Sequence, residues 1–334
     1  MNATALDSPI RHHLGLRAGD WVEVRSEGEI LSTLDERGCL DSLPFMPEML
    51  QFCGQRFRVF KSAHKTCDVI IESVNRRMIN AVHLEGLRCD GQAHGGCQQR
   101  CLLFWKEAWL KPVAGAESEQ GAVVSAPTGK PAAGARFDRH ALQRASRAPA
   151  QSDGERYTCQ ATEIVRATTY LRWWDPRPYV QDLLSRNIGL LDFLRFSAIA
   201  IYNATVRRLS IGRTYPYLRG LATDQTPSVD LNLQPGDLVQ VRSKEEIMLT
   251  INKRFRNKGL SFDVEMVPFC GRTFRVLSRV ERLIDDKTGR MLRPSRACLI
   301  LEGVVCGGCL SKNRLFCPRS IYPYWHEVWL KRVE

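Results

Sequence analysis

The sequence predicts a mainly β protein with short helical insertions, built as two tandem small β-barrels joined by a disordered linker and a helical segment. Three observations carry this. Leu16 to Val59 aligns without a gap on Leu233 to Val276, with about half the positions matching, so one unit occurs twice. Within each copy, short runs alternate apolar and polar residues between turn residues, which is the pattern of half-buried strands. Between the copies the composition shifts, first to Ala, Gly, Ser, Pro and Gln and then to long apolar runs. The units read as 14–113 and 231–334, with a linker over 114–155 and a helical segment over 156–220.

Each copy opens on Gly-Asp followed by alternation, Trp21-Val22-Glu23-Val24 in the first and Leu238-Val239-Gln240-Val241 in the second. Helical spacing over Glu27–Leu34 and Lys244–Ile251 predicts a short helix after that strand. Asp41–Pro47 reads as an irregular loop, and Phe57-Arg58-Val59-Phe60 starts a second strand. In the second copy this strand runs from Val276 to Ile284. Asp285-Asp286-Lys287-Thr288-Gly289 then makes a turn that ends on Gly, and Cys298–Leu301 returns as the partner strand of a hairpin. Trp325–Val333 alternates again and reads as a closing strand, as does the stretch around Trp105 and Trp109. The linker carries Arg136, Arg139, His140, Arg144 and Arg147 but too few large apolar residues to fold alone.

In the middle segment, Asp175 fits an N-cap and Pro176 or Pro178 a first helical turn. Ile188–Leu209 is largely apolar but includes Asp192 and Arg195, a costly pair in lipid. It therefore reads as a buried helix packed on a barrel. The alternative is an interfacial helix on a membrane, bordered by Trp173-Trp174 and Arg207-Arg208.

The Gly-Asp-x-Val-x-Val-Arg openings at residues 19–25 and 236–242 resemble the first strand of SH3-like barrels, including the KOW-type modules of transcription and translation proteins. The resemblance rests on those residues and the strand count. It implies a small, partly closed barrel for each copy.

The chain's net charge of +12 is unevenly placed. Residues 1–113 carry 14 basic and 14 acidic groups, whereas 233–334 carry 19 and 11. Only the second unit is built to attract a polyanion. Its basic residues Lys253, Arg254, Arg256 and Lys258 follow the short helix, and Arg314 and Arg319 precede the last strand with Tyr322 and Tyr324. Basic groups interleaved with aromatics suit RNA or DNA. The matching loop of the first unit, Asp35–Asp41, is not basic, which leaves that unit as a scaffold or a protein contact. The Trp105/Trp109 and Trp325/Trp329 pairs read as core, or alternatively as a stacking platform for bases.

The sequence has 12 cysteines. No apolar signal core begins the sequence, so a cytoplasmic address is expected and a disulfide framework is not. Metal ligation explains the cysteines better. Cys53 matches Cys270, Cys89 matches Cys306 and Cys97 matches Cys317. Cys101 and Cys309 add a nearby thiol to each unit, with Cys67, His64, His94 and Cys298 as further residues close by. Cys306-Gly307-Gly308-Cys309 is a knuckle spacing that presents two sulfurs to one ion. The expected ligands are therefore Cys53, Cys89, Cys97, Cys101, Cys270, Cys306, Cys309 and Cys317, and the expected ion is structural zinc. Packing is the alternative for Cys53 and Cys270, and the expectation for Cys39, Cys159 and Cys298.

No phosphate loop, HExxH helix, GxSxG elbow or GxGxxG turn is present. The expected function is a non-enzymatic, metal-stabilised binding or adaptor protein whose second unit contacts RNA or DNA. One alternative is a thiol-dependent accessory enzyme or redox sensor centred on Cys67, Cys97 and Cys101, with His64 beside Cys67. Another is a peripheral membrane scaffold held by residues 188–209.

Overall fold

Ser26 and Ser243 each stop a strand and start a helix by the same device. The serine side chain accepts from the backbone N–H of Glu29 or Glu246, and that glutamate reaches back to the serine N–H. Strand β1 (Trp21–Val24) thus runs into helix α1 (Glu27–Ser32). The computed structural model describes residues 13–71, 74–113, 137–151, 154–172, 174–223, 226–296 and 298–333. It is mostly β with a few helices and a curled, half-barrel sheet.

After α1 come a short hairpin of β2 (Cys39–Leu40) and β3 (Leu43–Pro44), a 3₁₀ turn over Pro47–Phe52, and strand β4 (Arg56–Ser62). A second hairpin, β5 (Lys65–Cys67) and β6 (Asn75–Arg77), precedes β7 (Ala81–Arg88), β8 (Leu102–Lys106) and β9 (Leu110–Pro112). The main sheet has the order β8-β7-β4-β1-β9.

The middle segment contributes helix α2 (Arg139–Ala145), a hairpin of β10 (Arg147–Gln151) and β11 (Gly154–Tyr157), strand β12 (Thr169–Tyr170), and helices α3 (Arg177–Leu184) and α4 (Leu190–Leu209). The C-terminal elements follow a similar order. Strand β13 (Leu238–Val241) leads to helix α5 (Lys244–Met248), the hairpin β14 (Arg256–Asn257) and β15 (Leu260–Ser261), and a 3₁₀ turn over Val264–Phe269. Strand β16 (Thr273–Val280), the small hairpin β17 (Leu283–Ile284) and β18 (Met291–Leu292), β19 (Cys298–Leu301) and β20 (Leu330–Arg332) complete it. The second sheet has the order β19-β16-β13-β20.

The two sheets share their register. Val22 lies opposite Phe57 and Pro112, and Val239 opposite Phe274 and Arg332. The ladder slips at the same place in both, between Val59 and Lys61 and between Val276 and Ser278. Such a bulge bends the strand and lets the sheet curl. The packing repeats as well. Phe45 stands edge-on to Trp105 and Trp109, as Phe262 does to Trp325 and Trp329. Glu107 accepts from the backbone N–H groups of Leu14 and Leu16, and Glu327 from those of Leu231 and Leu233.

All four of these tryptophans are fully buried, so they form the core and offer no stacking platform. Trp105 ends in β8 and Trp109 in a 3₁₀ turn, so the expected closing strand is broken by one turn. Trp325 and Trp329 are divided in the same way.

The expected linker over 114–155 lies outside the described residues as far as residue 136. Beyond it the chain is built into the first unit. Asp138 caps α2, and Phe137 and Leu142 are buried in the first core. Two apolar side chains were enough because the barrel already supplied a surface: a Cβ on Gly38 would lie 3.1 Å from the Phe137 ring.

The expectation of a buried helix over 188–209 fails. In α4 only Asn203 is buried, while Leu191, Leu194 and Ile201 face solvent. The buried Asn203 side chain binds the backbone of Tyr215 through both its oxygen and its nitrogen, which holds the returning chain. No helix among the described residues is long and apolar enough to cross a membrane. Trp173 lies outside the described residues, whereas Trp174 is exposed.

His83 on β7 gives the core a pH dependence. It is fully buried, its Nδ1 donates to the Leu103 carbonyl at 2.9 Å, and its Nε2 has no hydrogen-bond partner among the described residues. Burial pushes its pKa down to about 3. The unfolded chain takes up this proton near pH 6.5, so below that pH it binds more protons than the folded chain. Stability is therefore full above pH 6.5 and falls as pH drops towards 3. Between pH 6.5 and 5.0 the His83 share of the loss is expected to be about 2 kcal/mol, read from urea midpoints. The second unit carries Ile300 at the matching place on β19. His83→Ile should remove that share of the slope, and a variant with the wild-type slope would refute the assignment.

Candidate metal centre

Two loops hold six of the 12 cysteines, one between β7 and β8 and the other after β19. A buried carboxylate anchors each. Glu48, in the 3₁₀ turn before β4, accepts from the Ala93 N–H at 3.1 Å and from His94 Nδ1 at 2.5 Å. Glu265, in the matching turn, accepts from the N–H groups of Cys309 (3.2 Å), Leu310 (2.7 Å) and Ser311 (2.7 Å). A buried carboxylate is costly unless hydrogen-bonded, and here the loop backbone supplies the bonds.

Gly91 and Gly308 make the next step possible. Both have positive φ, 73° and 66°. A Cβ on Gly91 would lie 2.0 Å from the Cys97 carbonyl oxygen, and one on Gly308 would lie 2.8 Å from the Cys317 nitrogen. Only glycine permits that approach, and the approach brings Cys97 back to Cys89 and Cys317 back to Cys306. Cys89 N–H donates to Cys101 O at 2.9 Å, and Cys306 N–H to Ile321 O at 2.8 Å.

Backbone N–H groups near the sulfurs lower the thiol pKa: Gly91 at Cys89, Gly308 at Cys306, Gln99 and Ile284 at Cys97, Arg319 at Cys317, and Thr162 and Ala161 at Cys159. Donors aimed at sulfur favour the thiolate, which is the form that ligates metal. Burial opposes this and pushes the free thiols up: Cys159 and Cys306 to about 12, Cys309 to about 11, and Cys89 and Cys101 further. These thiols would give up their protons to a cation, not to water.

The thiols fall into two groups. Cys89, His94, Cys97, Cys101 and Cys159 line one cavity of about 30 Å³, enough for one small guest. Among the described residues, Glu48, Cys89 and His94 bring their ligand atoms within 4.8 Å of one another, and this trio could hold a metal ion. His94 Nε2 also faces the Thr158 carbonyl at 3.0 Å, so both ring nitrogens already meet acceptors.

The second group joins the units. Cys67 at the end of β5 donates its N–H to Cys317 Sγ at 3.2 Å. With the Cys317 thiol beside it and Arg319 and Arg314 nearby, the Cys67 thiol is held below the ordinary thiol range. Cys306 and Cys309 lie on the adjoining turn.

Several expected site residues stand elsewhere. Cys53 and Cys270 pack against the apolar cores with no thiol beside them, so they drop out of the ligand set. Arg319 is buried, donates to the Cys67 carbonyl at 3.3 Å and faces Asp286. Arg314 pairs with Asp263. Arg319 is thus closed to nucleic acid, and Arg314 is half-buried. His64 does not face Cys67: its ring meets Ser62, the Pro178 carbonyl and Asp182. Cys67 is itself 2% exposed, which leaves the alternative catalytic pair unassembled. Cys159 was expected to be packing alone, yet it lines the thiol cavity. The glutamates Glu48 and Glu265 were missed, although both copies carry Glu-Met at that position.

The basic loop does reach solvent. Lys253, Arg254, Arg256 and Lys258 are exposed around Phe255, and none has an ion-pair partner among the described residues. Beside it lies a cleft of about 530 Å³, lined in part by Lys258, Arg279, Arg296 and His326. His326 is 8% exposed, and its Nε2 has no hydrogen-bond partner among the described residues.

No protein-family model matches the chain, and the curated proteins and solved structures compared with it give no match.

Proposed function

We propose that this chain is a non-enzymatic binding or adaptor protein, with two SH3-like units stabilised by zinc and a second unit that contacts single-stranded RNA or DNA. The exposed run Lys253, Arg254, Arg256 and Lys258, opening onto the Arg279/Arg296 cleft, is the observation that carries the binding half of this reading. Unpaired cations attract phosphates at little desolvation cost, and a polar cleft beside them has room for a base. The first unit lacks this charge: its Arg37 pairs with Glu163 and its Lys106 with Asp41. It serves as scaffold or protein contact. The Glu48, Cys89 and His94 trio supports the metal half, since zinc takes thiolate, imidazole and carboxylate ligands.

Lys253→Ala combined with Arg256→Ala should weaken binding to a single-stranded oligonucleotide. If each side chain neutralises one phosphate, the slope of log K against log salt should fall by about 1.4. An unchanged slope would remove this loop as the contact.

A further inference from the structure

We propose that helix α4 is a docking surface for an anionic lipid bilayer, lying flat on it with leucines among the acyl chains and arginines at the headgroups. The side of the helix that faces outward is fixed by its own contacts. Phe193 stacks on Phe316 with ring centroids 5.2 Å apart, and Asn203 holds the Tyr215 backbone through both side-chain polar atoms. The opposite side has no cover. Leu191, Leu194, Ile201, Tyr202 and Leu209 are exposed there, Leu191 at 82%. Their spacing of i, i+3, i+10, i+11 and i+18 puts them in one stripe along the helix.

Exposed apolar side chains concentrate around this helix in the chain. Of the 21 large ones among the described residues, 11 lie between Val180 and Leu221, so they are clustered and not scattered singly. Clustered exposure of this kind marks an interaction site.

Charge identifies the partner. The same stretch exposes Arg186, Arg195, Arg207, Arg208, Arg213 and Arg219 but only one acid, Asp192. Arg195 and Arg213 lie over Phe196 and Tyr217, and none of the six has an ion-pair partner among the described residues. Asp192 sits in the first turn, where the helix dipole favours it. Free arginines bordering an apolar stripe suit phosphate headgroups above hydrocarbon. A second copy of the chain would add six more arginines and one acid to the contact, and single-stranded nucleic acid would leave the leucines in water. No helix among the described residues is long and apolar enough to cross a membrane, so the mode that fits α4 is adsorption, with side chains entering about 5–10 Å.

The test uses the full chain and flotation with vesicles of phosphatidylcholine alone or of two parts phosphatidylcholine to one part phosphatidylserine. Wild type should float with the anionic vesicles and stay behind with the neutral ones. Leu191→Glu combined with Leu194→Glu should abolish flotation and leave the far-ultraviolet circular dichroism unchanged, because both side chains already face solvent. Arg207→Gln combined with Arg208→Gln should weaken vesicle binding roughly 30-fold. Lys253→Ala combined with Arg256→Ala should float as wild type does, which separates this surface from the nucleic-acid contact. Wild type left behind by the anionic vesicles would overturn the proposal. So would undiminished flotation of the leucine variant, or loss of flotation in the Lys253/Arg256 variant. A wild-type dimer in sedimentation equilibrium that the leucine variant splits would assign the face to a second copy and overturn it as well.

Discussion

Trp329→Ala should lower the stability of the second unit by about 3–5 kcal/mol, a large share of the 5–15 kcal/mol of a typical domain. The side chain is fully buried beneath the sheet. Phe262 stands edge-on to it at 5.3 Å and His326 at 5.4 Å. Its Nε1 donates to Thr250 Oγ1 at 3.0 Å, so truncation also strips a partner from a half-buried hydroxyl. Trp329→Phe keeps most of the ring contact, loses the bond, and should cost about 1–2 kcal/mol. Urea unfolding followed by near-ultraviolet circular dichroism reads both. A loss below about 1 kcal/mol for the alanine variant would mean that the interior collapses around the gap. Trp109 makes the matching bond to Thr33 at 3.1 Å, so its truncation should act alike on the first unit.

Lys65→Met should be nearly as damaging. Lys65 and Asp182 pair where both side chains are completely buried, joining β5 to α3. Tyr179 and Phe316 lie over the ammonium, at 4.4 and 5.5 Å. Burial holds its pKa down and the Asp182 carboxylate opposes that. Removing the cation alone leaves Asp182 with His64 and Asn187 as its remaining neighbours. Breaking one half of such a pair typically costs about 3–5 kcal/mol, whereas replacing both halves by apolar residues is often neutral. The double variant Lys65→Met with Asp182→Leu should therefore recover most of the loss in a thermal or urea melt. If it is no more stable than Lys65→Met, the pair itself is not the source. Because Lys65 stands two residues before Cys67, the single variant should also loosen the seam.

The repeat, the capped helices and the Asp285–Gly289 turn were legible because each is written in neighbouring residues. The pairings of Cys89 with Cys306 and of Cys97 with Cys317 followed from alignment, and the loops around them make matching hydrogen bonds. What could not be read was contact at a distance. Cys67 meets Cys317, and Cys159 comes to line the same cavity as Cys97, only after the chain has folded. Arg319 sits between Pro318 and Ser320, which reads as exposed loop, yet it is buried against Cys67. Helix α4 misled for another reason. Apolar residues surround it, so composition suggested an interior element, while spacing could not name a packed face. Glu48 and Glu265 offered a usable signal, the same acid in both copies beside an apolar neighbour.

The bond between Cys67 and the far loop has a consequence for the history of the chain. After a duplication, either copy is ordinarily free to decay while the other carries on. Here the hairpin of one half is hydrogen-bonded to the cysteine loop of the other through Cys67 and Asn75, so deletion of either would strip bonding partners from what remains. A lesion at Cys67 or Asn75 should therefore be felt in the far loop.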